Sequence, residues 1–170
     1  MTERNVDWKR FIRHLVTDHW SARRAFPARV LSAIEREIGE QERRHGGEVR
    51  FAVEASLPLG AVFSGTSASA RALEHFGRLG VWDTEENNGV LIYLLLADRR
   101  VEIVADRGIH SRVGAAAWET ICGEMQREFG LGNFEQGVKV GVRAISDLLA
   151  AHYPPGGRDG NELPDRPVVI

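Results

Sequence analysis

The order of apolar and polar positions along the chain predicts helix, helix, strand, helix, strand, strand, helix, helix. From Arg4 to Arg24, the residues Trp8, Phe11, Ile12, Leu15 and His19 recur at helical spacing, and Lys9, Arg10, Arg13, Arg23 and Arg24 make the segment basic. Pro27 suits the first turn of a second helix. That helix carries a stripe of Val30, Leu31, Ile34 and Ile38 and a wet face of Glu35, Arg36, Glu40, Glu42 and Arg43, and Gly46-Gly47 stop it. Glu48 to Ala55 has the period of a strand. Leu57 to Ser64 contains Pro58 and Gly60 and reads as a loop over the core with a short helical turn. Thr66 or Ser67 caps a helix to about Leu79, with Ala70, Leu73 and Phe76 inward.

The chain is organised around Asn87 to Gly108. The run Val90 to Ala97 is wholly apolar, as in a central strand covered on both faces. Asp98-Arg99-Arg100 turn the chain, and Val101, Ile103 and Val104 make the return strand. Ser111 starts a helix to about Phe129, with Val113, Ala117, Ile121 and Met125 inward. Asn133 and Gln136 have the spacing of a capping box for a last helix, which buries Phe134, Val138, Val142, Ile145, Leu148 and Leu149 and ends near His152. The strand–helix–strand unit predicts a parallel pair, and the hairpin adds an antiparallel strand. The fold class is therefore α/β, a three-layer α/β/α sandwich on a small mixed sheet. Residues 1–25 form an N-terminal helix, 26–153 the domain and 154–170 a mobile tail.

Composition narrows the function classes. The 170 residues carry a net charge of −2, which argues against a polyanion binder, so nucleic acid is not expected. The single cysteine, Cys122, excludes an internal disulfide and reads as a small core residue. The N-terminus lacks the apolar region of a signal peptide, and Val90 to Ala97 is too short to span a bilayer. The expected compartment is the cytoplasm, with peripheral contact at the inner membrane.

Candidate chemistry follows from the hairpin. Its geometry places Asp83, Glu85, Asn87 and Asn88 at the same end of the sheet as Asp106 and His110. Oxygen donors clustered in loops suit calcium or magnesium, and the predicted metal set is Asp83, Asn87, Asn88, Asp106 and His110. Asn87-Asn88-Gly89 is equally good turn chemistry. Glu54, Ser56, Asp98 and Arg99 mark the opposite end, where open α/β sheets bind ligands. His14 and His19, five apart, do not share a helix face and read as surface or partly packed. The N-terminal stripe suits packing on the domain, the commoner use of such stripes, or an anionic membrane surface or a protein partner beside it. Trp8, Lys9, Arg10, Phe11 and Arg13 are the predicted contact residues. The glycine loop of a P-loop and the elbow of a serine hydrolase are both missing, and no catalytic residue is assigned.

Asn87-Asn88-Gly89-Val90-Leu91, Asp98-Arg99, Val101-Glu102-Ile103, Gly108-Ile109, Gly123, Asn133-Phe134, Gly137 and Gly141 together resemble the TPM domain family, over about Phe26 to Tyr153. The resemblance implies an α/β/α sandwich. Some members of that family are described as binding divalent cations, and a plant member as an acid phosphatase. Many carry a signal peptide and a membrane anchor, and this chain is most similar to the short, anchorless bacterial members. Two departures matter. Ala25-Phe26-Pro27 stand where many members have an acid. Asp106-Arg107-Gly108-Ile109-His110 stand where many have Gly-x-Gly-Leu-Glu. The first expectation is thus a non-catalytic module that binds a partner at or near the membrane. The alternative is a divalent-metal-dependent phosphatase.

Overall fold

A computed structural model describes residues 7–156 and 161–170. Residues 4–6 of the expected first helix and 157–160 of the expected tail lie outside them. Strands β1 (Glu48–Glu54) and β2 (Gly89–Leu95) pair in parallel from Glu48 opposite Gly89 to Glu54 opposite Leu95. Strand β3 (Arg100–Ala105) returns antiparallel on β2, from Val90 opposite Ala105 to Leu95 opposite Arg100. Both expected pairings are present. A fourth strand, β4 (Val168–Val169), lies parallel on the other side of β1, so the sheet order is β3-β2-β1-β4.

Among the described residues, eight helices flank this sheet: α1 (Trp8–Val16), α2 (His19–Ala25), α3 (Ala28–Glu42), α4 (Leu59–Phe63), α5 (Ala68–Arg78), α6 (Arg107–Val113), α7 (Ala115–Gly130) and α8 (Phe134–His152). Alternation along the strands sends Val49, Phe51, Val53, Val90, Ile92 and Leu94 into the larger core, with Ile34 and Ile38 of α3, Met125 of α7 and Val138, Val142 and Ile145 of α8. Ala52, Leu91, Tyr93 and Leu95 face the other way, onto Val62 of α4 and Ala72 and Phe76 of α5. Both faces are covered, which is why β2 is apolar throughout. Helices α7 and α8 approach closely: a Cβ on Gly141 would lie 2.4 Å from Met125 Sδ, and one on Gly137 2.4 Å from the Phe129 ring.

Several expectations need correction. The N-terminal helix is two helices, because Asp18 leaves helical geometry and its carboxylate accepts from Ser21 N, 2.9 Å, to start α2. A second break falls at Gly114, φ 83°, so that α6, capped by Asp106 rather than Ser111, ends before α7 begins. Asn133 does not cap α8; its amide donates to Glu128 instead. The inward face of α5 is Ala68, Ala72, His75 and Phe76, whereas Leu73 is 63% exposed. Glu42, assigned to a wet face, is partly buried, and His14 is buried. Residues 161–170 are not a loose tail. The Glu48 carboxylate accepts from Glu162 N and Leu163 N, both 3.1 Å, Arg50 donates to the Pro164 carbonyl, and Ile170 N donates to Val53 O at 2.8 Å.

Candidate functional site

At the amino end of β2, turn chemistry brings two of the predicted metal residues inside. Asn87 adopts φ 54°, and Asn88 N donates to Thr84 Oγ1 at 3.1 Å. The Asn88 amide reaches back to Gly46 O, 2.8 Å, tying this loop to the end of α3. Asp106 N donates to Gly89 O, closing the hairpin, and Asp106 Oδ1 accepts from Arg107 N. Gly108 makes the approach possible, since a Cβ there would lie 2.4 Å from Asn87 O and 2.9 Å from Tyr153 Oη. Asn88 Oδ1, Asp106 Oδ2 and Tyr153 Oη are left buried without a hydrogen-bond partner. Asp83 and His110 are exposed, and the described residues contain no group of three or more His, Cys, Asp and Glu that could hold a metal ion. Asp83, Asp106 and His110 therefore do not form such a group. The orphaned atoms are oxygens, as a hard cation requires. With one carboxylate among them, they fit only an ion that keeps most of its water, in the manner of magnesium.

At the opposite end, Glu54 is buried, Asp98 is partly buried, and both are fully occupied. The Arg71 fork lies on Glu54 at 2.8–3.2 Å, Tyr93 Oη donates to it at 2.5 Å, and His75 Nε2 is 3.3 Å away. Burial pushes the Glu54 carboxyl up, but the Arg71 and Tyr93 hydrogen bonds outweigh it and hold the group below the usual range. Burial pulls His75 down and drives the Tyr93 hydroxyl well up. Asp98 accepts the Arg10 fork at 2.8–3.2 Å and His14 Nε2 at 3.0 Å. His14 Nδ1 accepts from Leu57 N at 2.9 Å, so its proton sits on Nε2. With its oxygens engaged and 3% exposure, Glu54 is a clamp between α5 and the sheet rather than a base facing a substrate. Ser56 joins neither network. Tyr93, Arg71, His75 and His14 were missed from sequence, and Arg10 was read as a surface contact rather than as the partner of Asp98. The available signal was an acid on a strand covered on both faces, which obliges neighbours to supply donors.

Because α1 docks through Arg10 and His14, its apolar side faces out. Trp8 is 63% exposed, and Ile12, Leu15 and Val16 are exposed with it. Trp20 of α2 is 65% exposed. Of the predicted contact residues, Trp8, Lys9 and Arg13 lie on the surface, Phe11 packs on Phe63 at 4.9 Å between centroids, and Arg10 is committed to Asp98.

This fold is an α/β/α sandwich whose mixed sheet is built on a parallel pair and an antiparallel hairpin. Residues 24–148 match the TPM domain, and the chain belongs to the TPM domain family. Among solved structures it is similar to the BA42 protein from the psychrophilic bacterium Bizionia argentinensis, with 30% identity and a TM-score of 0.75 over 85% of this chain and 95% of that one. The N-terminal domain of a protein from P. gingivalis shares the fold at 21% identity and a TM-score of 0.55, over 71% of this chain and 76% of that one. No curated protein matches the chain.

Proposed function

We propose that this TPM module acts by peripheral contact with an anionic membrane surface, through α1 and α2. The observation that carries the reading is the outward apolar face of Trp8, Ile12, Leu15, Val16 and Trp20, flanked by Lys9, Arg13, Arg23 and Arg24. A helix that turns its ionic side inward and its apolar side outward has spent its polar groups on docking. Its large side chains still face water. Each such side chain gains about 1.5–3 kcal/mol on burial, and each cation near an anionic surface about 1 kcal/mol. No helix among the described residues is long and apolar enough to cross a membrane. The contact is thus reversible and salt-sensitive.

The test is co-sedimentation with phosphatidylglycerol vesicles, with phosphatidylcholine vesicles as control. Trp8→Ser with Ile12→Ser should weaken partitioning at least about tenfold, since the two side chains together carry more than the 1.4 kcal/mol that a decade requires. Leu73→Ser, also exposed but on α5, should leave it unchanged. A monomeric wild-type protein that stays in the supernatant with anionic vesicles would end this reading.

The orphaned oxygens of Asn88, Asp106 and Tyr153 favour a second reading, a divalent-cation-dependent phosphatase. Its ion would neutralise phosphate charge or activate water. Calorimetric titration with magnesium and calcium should then show saturable binding that Asp106→Asn abolishes, because the amide keeps the cap on α6 but loses the charge. Absence of binding at millimolar ion, or binding untouched by the variant, excludes it, as does phosphomonoester hydrolysis that needs no metal.

A further inference from the structure

Arg24 of α2, Arg29 in the first turn of α3 and Arg99 in the β2–β3 turn come from separate elements and line one open cleft of about 950 Å³. Leu96 and Arg99 follow β2 directly, so the cleft lies at the carboxyl ends of the parallel pair, where α/β sheets take ligands. None of the three guanidinium groups has a carboxylate partner among the described residues. The arginines that tie the fold together are paired: Arg10 holds Asp98, Arg71 holds Glu54 and Arg143 holds Glu37. The one acid in the cleft lining, Glu135, is tied to Lys139 at 2.8 Å. Arg24 lies over the Trp20 ring at 4.7 Å, which orients its planar group. The cleft also receives the first turn of α8, which no side chain caps, so that its N–H groups add positive potential. Three like charges lining one cleft repel one another unless an anion joins them.

We infer that this cleft binds a phosphomonoester group. Its three terminal oxygens and nearly two negative charges match three guanidinium groups arriving from different sides, whereas a carboxylate would leave one of them unused. The site adjoins the membrane face, with which it shares Trp20 and Arg24, and lies at the end of the sheet opposite Asn88 and Asp106. It is a binding site, with no turnover implied. The phosphomonoester comes from either a small soluble metabolite or a lipid with a terminal phosphate, and Trp20 and Arg24 border both the cleft and the exposed side of α2.

The full chain is titrated with glycerol 3-phosphate by calorimetry. In parallel it is sedimented with phosphatidylcholine vesicles doped with phosphatidic acid, a monoester, or with phosphatidylglycerol, a diester. Arg29→Gln and Arg99→Gln remove exposed, unpaired charges, and circular dichroism verifies the fold. Each should weaken glycerol 3-phosphate binding about tenfold, the loss of one charge-assisted contact, while Arg36→Gln, on α3, changes nothing. Binding confined to phosphatidic acid vesicles and lost in both variants assigns the lipid source. Absence of saturable binding in either arm, or binding that both variants leave intact, overturns the inference. Membrane binding through Trp8 and Ile12 would still register on phosphatidylglycerol, so either proposal can fail without the other.

Discussion

Glu54→Gln is expected to cost the fold about 3 kcal/mol or more, the scale for removing one partner of a buried ion pair. The substitution is isosteric, so no cavity opens, and the loss reports charge. In the native protein the Arg71 fork, Tyr93 Oη and His75 Nε2 all converge on this one carboxylate. Without it, Arg71 stays 13% exposed with only Glu74 opposite, and α5 loses its bond to β1. Urea denaturation at neutral pH measures the effect. The double variant with Arg71→Met should recover a large part of the loss, because it also removes the stranded cation. A loss below about 1 kcal/mol would class the network with ordinary surface pairs.

The same network sets the sign of the acid limb. The Glu54 carboxyl is held below its ordinary 4.5, so its contribution is present above pH 4.5 and lost as pH falls through the folded value. His75, pulled below 6.5 by burial, has a lowered folded pKa and loses stability in the same direction, starting near pH 6.5. His45, pulled down to about 4 by burial, adds to this between 6.5 and 4. These groups therefore draw stability down on acidification from about pH 6.5, against the opposite slope of Glu42 and Glu48 above pH 4.5, and Glu54→Gln should make the fall shallower below pH 4.5.

The hairpin and the parallel pair were legible because long apolar runs admit one explanation, a strand covered twice. Helix faces were less legible wherever a buried charge inverted the usual rule. Inward positions on α5 went to Leu73 on hydropathy, yet Glu54 on the sheet required donors, and Arg71 and His75 supply them. The α1 stripe was equally visible, but its direction depends on Asp98, more than 80 residues away, which draws Arg10 and His14 inward. Two strand residues, Val168 and Val169, are too few to show a period, so β4 could not be read. The geometry of the proposed cation site was half legible. The hairpin places Asn88 and Asp106 at one end, but the cap of α6 turns His110 outward, and no sequence period records that turn.

Glu42→Gln should stabilise the protein at alkaline pH. Glu42 sits between α3, β1 and the 161–170 segment, where its Oε1 accepts from Val49 N at 2.9 Å. Burial, then the nearby Glu48 and Asp165 carboxyls, push it up to about 9. Burial also raises Glu48. The folded pKa lies above the ordinary 4.5, so the favourable contribution is complete below pH 4.5, shrinks as pH rises and is gone by about 9. Arg50, buried beside the same acids, offsets part of the loss. A net difference of about 2 kcal/mol between variant and wild type at pH 9 is expected. Below pH 4.5 the two should converge, since the side chain is then neutral in both the folded and the unfolded chain. The segment that feels this first is 162–164, which Glu48 and Arg50 hold from the same cluster and which leads into β4. Amide exchange at Ile170, bonded to Val53 O, should accelerate in the wild type as pH rises, beyond the intrinsic base catalysis of exchange, and stay protected in the variant. Urea transitions that run parallel for the two proteins from pH 5 to pH 9 would show that the cluster does not couple the chain's last strand to proton release.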